Sequence, residues 1–364
     1  MLINQIIIYI LVLFVAVGAL DKIFGDKFGF GKKFDEGFNA MGPLALAMVG
    51  IISLAPVISR LLSPILVPIY TKLGADPAMF AGSLLAVDMG GYPLAMNLAQ
   101  SASSGLFSGI ILGSMMGATI VFTIPVALGI LDKRDLKYLA LGTLAGIIMI
   151  PFGCFFAGLI AGFGVVPTIL NLIPVALFAA ILAIGLWLIP KAMVKGFVVF
   201  GKVVMAIITF GLLIAVIQSL TNITIIPGMA PIWDGIKSVG SVAIMLLGAF
   251  PLVHFITLVL KKPLTKLGQS IGLGEIAVVG MIASLANNIP MLCMIKDMDN
   301  RGKMLNIAFA VGAAFIFGDH LGFVAGVDQS MIFPMIVGKF TTGILAMVVA
   351  SFIYSKSKIA NQPE

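Results

Sequence analysis

Nine apolar runs take up most of this chain: 3–20, 41–60, 105–131, 137–162, 168–190, 200–219, 237–260, 303–326 and 331–353. A helix that crosses a bilayer needs about 20 apolar residues, and these runs are of that order. Only 10% of the 364 residues are charged, 60% are hydrophobic, and the mean hydropathy is +1.18. A soluble domain carries about 25% charged residues. The chain is expected to be an all-α polytopic membrane protein of about nine transmembrane helices, with no room for a large soluble domain.

Two further apolar stretches, 77–97 and 275–295, are interrupted by Pro, Gly or Asn clusters at their middles. Irregular backbone at membrane depth survives only where it is buried in protein or lines a cavity. Both stretches are therefore expected to be re-entrant broken segments that return to their own side.

Lys and Arg in short loops mark the inner side. They fall at Lys22, Lys27, Lys32 and Lys33; at Lys133, Arg134 and Lys137; at Lys191 and Lys195; at Lys261, Lys262 and Lys266; at Lys296, Arg301 and Lys303; and at Lys356 and Lys358. Loops 163–167 and 220–235 carry none, nor does 97–105. An outer N-terminus, nine crossings, two re-entrant segments and an inner C-terminus satisfy this pattern, with Arg60 and Lys72 as exceptions. The division expected is 1–34, a first helix and cytoplasmic loop; 35–132, a first repeat holding segment 77–97; 133–235, three linking helices; 236–327, a second repeat holding segment 275–295; and 328–364, a last helix and cytoplasmic tail. The repeats have mirror topologies, the inverted plan of many secondary transporters. At an offset of 197–198, Gly50, Gly82, Pro93, Gly105 and Gly129 pair with Gly248, Gly280, Pro290, Gly302 and Gly326.

The net charge of +7 is explained by these loops, so no nucleic-acid partner is expected. Cys154 and Cys293 stand alone in apolar stretches, which argues against a disulfide framework. Residues 6–20 lack a basic n-region and a small-residue cleavage site, and are expected to be a retained helix. No cofactor or metal motif occurs.

Asp88 sits in "AVDMGGYP", where Gly90, Gly91 and Pro93 break the helix. A broken helix end frees carbonyls with partial negative charge, and Asp88 adds a full charge. Together they would hold a cation; the alternative is a structural acid paired inside the bundle. Asn287 and Asn288 form the matching break in "LANNIP", either as polar partners of the same site or as helix caps before Pro290. Asp319 and His320, near the outer end of the eighth run, could relay protons or could form an interhelical ion pair. Ser114, Thr119 and Thr123 share one face that suits close packing and could also line a path. Asp76 and Glu275 are expected as caps, and His254 as structural. An intramembrane enzyme is the rival class, but no Tyr-Asp pair, HExxH, P-loop or nucleophile elbow occurs. A passive channel is the third.

The stretches "FDEGFNAMG" (34–42), "MFAGSLLAVDMGGYPLA" (79–95), "GSMMGATIVFTIPVALGI" (113–130), "LANNIPM" (285–291), "GDHLGF" (318–323) and "MIFPMIVGK" (331–339) resemble the ethanolamine permeases of bacterial ethanolamine-utilisation operons. The resemblance runs over nearly the whole chain. It implies a non-enzymatic, multi-pass permease of the bacterial inner (plasma) membrane, with ethanolamine and membrane lipid as partners. A proton or sodium ion would join them if transport is coupled, and a second copy if this carrier forms homodimers as many do. In such a site Asp88 would hold the ammonium and Asn287 or Asn288 the hydroxyl. Tyr92, Phe122 or Phe317 would offer a ring face to the cation. Another small cation or metabolite is the alternative substrate.

Overall fold

The computed structural model describes residues 2–270 and 272–356, so Lys358 of the expected tail lies outside the described residues. Among these residues there is helix and no strand. The chain is an all-α polytopic membrane protein.

Helix α1 spans Leu2–Ile23, α2 Phe30–Asn39 and α3 Met41–Lys72. The loop expected before the second run is thus largely helix. Its bend is set by Asp21, whose carboxylate accepts from the backbone N–H groups of Phe28, Phe30 and Gly31. The first interrupted segment is α4 (Met79–Leu84), a π-helical turn (Val87–Gly91) and α5 (Tyr92–Leu98). One span follows, from α6 (Ala102–Leu106) through π-helical stretches Phe107–Gly117 and Thr119–Thr123 to α7 (Ile124–Ile130). Then come α8 (Leu136–Ile160), α9 (Val165–Leu188), α10 (Pro190–Thr221) and α11 (Ile232–Ser270). The second interrupted segment is α12 (Glu275–Ser284) and α13 (Asn288–Met294), followed by α14 (Asn300–Ala313), α15 (Asp319–Val327) and α16 (Ile332–Lys356).

Among the described residues, eight helices are long and apolar enough to cross a membrane. The expected ninth, 303–326, is divided. α14 stops at Ala313, Ala314 is extended, Phe315 adopts φ 63°, and α15 starts at Asp319. The division has a tertiary cause: Phe315 N–H donates to Ser284 O at 2.9 Å, and Phe317 N–H to Leu285 O at 3.0 Å. The tip of the second interrupted segment takes the backbone bonds that a continuous helix would keep. Asp319 and His320 therefore open a second half-helix and do not lie on one continuous span.

The two ends of each interrupted segment lie side by side. Gln100 N–H donates to the Asp76 carboxylate at 3.0 Å, and Asp76 N–H donates to Asn171 near the start of α9. Asp76 also accepts from Ala78 N–H, the cap expected of it. In the second segment Arg301 reaches the Gly272 carbonyl at 3.5 Å, and Lys303 forms a buried 2.8 Å ion pair with Asp135 just before α8. α8 runs from the Asp135 end to the α9 end, about 37 Å at 1.5 Å per residue over its 25 residues. The paired ends of the two segments thus lie near opposite ends of α8.

Each segment is fastened by a buried polar residue on the helix that follows it. Ser108 Oγ donates to Ala78 O at 2.5 Å and accepts from Gly82 N–H. Asn306 Nδ2 donates to Ala277 O at 2.9 Å. Each tip also rests on a glycine: a Cβ on Gly117 would overlap the Leu85 carbonyl, and one on Gly318 the Ala286 carbonyl. Cys154 is buried and Cys293 exposed, both as free thiols.

Candidate transport site

The break in the first segment has the geometry its residues dictate. Met89 and Gly90 leave helical φ/ψ, with Gly90 at φ 98°, a conformation that favours glycine. Gly90 also packs against Ile51, where a Cβ would not fit. Gly91 N–H bonds Ala86 O, and a Cβ there would strike the Leu85 and Ala86 carbonyls. Pro93 then sits in the first turn of α5, where its missing N–H costs nothing.

Asp88 projects from this break and lies on the wall of two cavities. One, of about 140 Å³, is also lined by Met48, Ile51, Tyr92, Ser238 and Phe323 among others. The other, of about 30 Å³, is lined by Ala86, Ala118, Phe122, Phe315, Asp319 and His320. A water needs about 10–15 Å³ of such space, so the smaller holds about two waters and the larger a small organic molecule. An edge-to-face aromatic pair borders each cavity: Tyr92 with Phe323, centroids 5.7 Å apart, and Phe122 with Phe315, 5.6 Å apart. Each pair joins a residue of the first half of the chain to one of the second.

Among the described residues, no lysine, arginine or histidine lies within ion-pair distance of Asp88 or Asp319. A basic residue of another segment therefore makes no direct ion pair with Asp88. His320 is buried with its ring 4.9 Å from that of Phe315, and its Nδ1 has no partner among the described residues.

The sequence-derived candidates separate into two groups. Asp88, Gly90, Tyr92, Phe122, Asp319 and His320 line the cavities. Asn287, Asn288, Gly91 and Thr123 line neither. Asn287 caps α13 by accepting from Ile289 N–H at 2.9 Å. Asn288 is fully buried and donates to Thr123 Oγ1 at 3.0 Å. The acid at the first break therefore meets the acid and imidazole of α15 at the smaller cavity, instead of the two amides. Ser114 and Thr119 turn their hydroxyls back to the Ile111 and Met115 carbonyls, as packing residues do. Phe317 packs on Phe340. His254 bonds the Phe28 carbonyl and packs on Phe30, a structural role.

Phe315, Phe323 and Ser238 are among the lining residues without an assignment from sequence. Another residue near the site carries a charge to which sequence gives no role. Lys339, at the middle of α16, is 1% exposed and donates to the Ser114 carbonyl at 2.6 Å. A charge inside an otherwise apolar run is a functional signal by default, and that signal was present in residues 331–353.

Fold and site together define a multi-pass helical membrane protein with acid-lined cavities at a helix break. The family described as "Ethanolamine utilisation protein, EutH" matches residues 3–353, and the chain belongs to this family. The chain is 59% identical over 362 residues to a Listeria monocytogenes protein named "Probable ethanolamine permease EutH", covering 100% of this chain and 97% of the relative. A Salmonella typhimurium protein of the same name is 47% identical over 396 residues, covering 98% of this chain and 97% of its own. The Bacillus subtilis protein named "Uncharacterized protein YxeR" is 47% identical over 353 residues, covering 97% and 95%. No solved structure matches the chain.

Proposed function

We propose that this protein carries protonated ethanolamine across the bacterial inner membrane by alternating access around Asp88. The observation that carries the reading is the position of Asp88, a carboxylate in no direct ion pair on the wall shared by two cavities. The relatives named as probable ethanolamine permeases supply the substrate. Ethanolamine is a primary amine and is protonated at neutral pH, as lysine is with a pKa of about 10.4. An ammonium pays heavily in hydrocarbon, and a buried carboxylate is its natural counter-charge. Tyr92 and Ser238, which line the larger cavity, offer hydroxyl partners for the alcohol end. The Tyr92 ring offers a face to the cation.

The two interrupted segments are read as re-entrant hairpins of an inverted repeat. The lengths of the elements support this. Helices end at Ile23 and Thr221 and at Lys72 and Ser270, and begin at Ala102 and Asn300; each pair is 198 residues apart. Packing supports it too. Gly50 of α3 seats the Ile208 carbonyl of α10, and Gly248 of α11 seats the Leu11 carbonyl of α1. On this reading the repeat is longer than 35–132 and 236–327: α1 to α8 answer α10 to α16, and α9 alone links them. The outer N-terminus and inner C-terminus inferred from the loop charges fit that count. The larger cavity then lies toward the outer side, where α11 begins and α15 ends. The two aromatic pairs are the closures that would exchange. A membrane potential drives a cation inward by about 2.3 kcal/mol per charge per 100 mV, so this reading requires no coupling proton or sodium.

The test is uptake of labelled ethanolamine into proteoliposomes, wild type beside Asp88→Asn, with insertion and folding confirmed for both. Uptake by wild type and loss in the variant are expected. Equal uptake by both would remove Asp88 from the site, and no uptake by wild type would remove the substrate.

A further inference from the structure

Lys339 has no task in the mechanism above, yet its placement is costly. A lysine in the membrane interior is expensive unless its charge is used or compensated. Among the described residues no carboxylate lies within ion-pair distance of it. Its ammonium donates to the neutral Ser114 carbonyl. That carbonyl belongs to the wall of the broken segment. The residue before it, Gly113, packs on Leu85 and Val87, with a Cβ there 3.4 Å from Val87 N. Val87 immediately precedes Asp88. The ammonium of Lys339 is thus one helix layer behind the Asp88 break. Cys154 is a titratable group beside it.

The charge count at the smaller cavity gives Lys339 its meaning. Asp88 and Asp319 line one cavity of about 30 Å³. Two carboxylates on the wall of one small cavity repel each other, and both stay ionised only with positive charge nearby. The candidates are fixed cations, bound protons and bound ligand. His320, packed against Phe315 with an unpartnered Nδ1, is counted as neutral. As an ammonium, Lys339 supplies one positive charge. One remains to be supplied.

We propose that Lys339 is the specificity-setting residue of this site: its ammonium balances one of the two acids, so the site around Asp88 accepts one monovalent ammonium and rejects dications. The inference rests on the transport reading above and deepens it. Without Lys339 the same site would call for two positive charges, met by a diamine or by one amine and a proton. Without Asp319 but with Lys339, no charge would be left for an amine to satisfy. Removing both restores the original balance.

These consequences make the test reciprocal. Lys339→Met, Asp319→Asn and the double variant are reconstituted beside wild type. Each is assayed for uptake of labelled ethanolamine and of 1,3-diaminopropane, whose two lysine-like amines are both largely protonated at neutral pH. In Lys339→Met the ratio of diamine to ethanolamine uptake is expected to rise by about tenfold or more, because an uncompensated buried charge costs at least that factor. In Asp319→Asn ethanolamine uptake is expected to fall by about tenfold or more on the same ground. In the double variant both the ethanolamine rate and the wild-type selectivity are expected to return. A merely structural lysine would lower both substrates together and leave the ratio unchanged, and that result overturns the proposal. So does a double variant no better than Asp319→Asn. Should Lys339→Met fail to insert, Lys339→Gln keeps the same arms. If wild type moves no ethanolamine, the transport reading fails separately. The charge balance is then tested by thermal stabilisation of the purified proteins with the two amines: the diamine is expected to stabilise Lys339→Met more than wild type, and equal shifts overturn the proposal.

Discussion

Asn288 donates its side-chain amide to Thr123 Oγ1 across 3.0 Å, and both residues are buried. This bond ties the tip of the second interrupted segment to the helix that follows the first. Asn288 Oδ1 has no partner among the described residues, so the tie is already only half satisfied. Thr123→Val removes the acceptor and leaves the amide buried without it. A stranded polar group costs about 1–3 kcal/mol, whereas replacing both partners by apolar groups of similar shape is nearly neutral. Thermal unfolding in detergent is expected to show a lower midpoint for Thr123→Val, near-wild-type behaviour for Thr123→Ser, and partial recovery in Thr123→Val with Asn288→Leu. A double variant as unstable as the sum of the singles would break the argument.

The glycines under the two tips make a second prediction. Gly117→Ala pushes a methyl into the Leu85 carbonyl, and Gly318→Ala one into the Ala286 carbonyl. Backbone cannot rotate aside as a side chain does, so each substitution displaces its segment; overpacking of this kind costs about 1–3 kcal/mol or more. Gly240, inside α11, has open space where its Cβ would be. Gly240→Ala is expected to be neutral or slightly stabilising, since alanine is the better helix former by about 1 kcal/mol. Unfolding midpoints and uptake by the three variants check the ranking. Equal tolerance of all three would show that the tips are not seated as described.

The crossings were legible because the bilayer demands long apolar runs and little else satisfies it. The run at 168–190 became α9 at Val165–Leu188, and the run at 137–162 became α8 at Leu136–Ile160. The first break was legible for a local reason, the conformations that Gly90 and Pro93 force. The break at 314–318 was not. "AAFIF" (313–317) contains neither Gly nor Pro, although Gly312 and Gly318 flank it, and the helix ends there because Ser284 and Leu285 take the N–H groups of Phe315 and Phe317. Such a competitor is visible only after folding. The same holds within the site. Asp88 and Asp319 were both singled out by charge at membrane depth. That they share a cavity while Asn288 turns to Thr123 depends on how the second tip packs. Lys339 is a middle case: its charge was visible, and its partner Ser114 lies 225 residues away.

The chemistry of the substrate makes the last prediction. Neutral ethanolamine leaks through a bilayer, and the ammonium form does not. With a lysine-like pKa of about 10.4, the neutral fraction falls about tenfold for each pH unit below that value. Between pH 8 and pH 5 the leak therefore drops by about three orders of magnitude on the same titration. A carrier that takes the ammonium loses no substrate over this range, because almost all the amine is already protonated at pH 8. The ratio of protein-mediated uptake to leak is thus expected to be far larger at pH 5 than at pH 8. Proteoliposomes and empty liposomes, assayed side by side at both pH values with labelled ethanolamine, measure that ratio directly. A ratio that stays constant or falls toward pH 5 would mean that the protein moves the neutral amine, or that its acids are protonated and closed to cations at low pH. Asp88→Asn separates these two, since it mimics the protonated acid. A variant that transports at pH 8 as wild type does would point to the neutral amine, and one inactive at both pH values to a carboxylate that must be ionised.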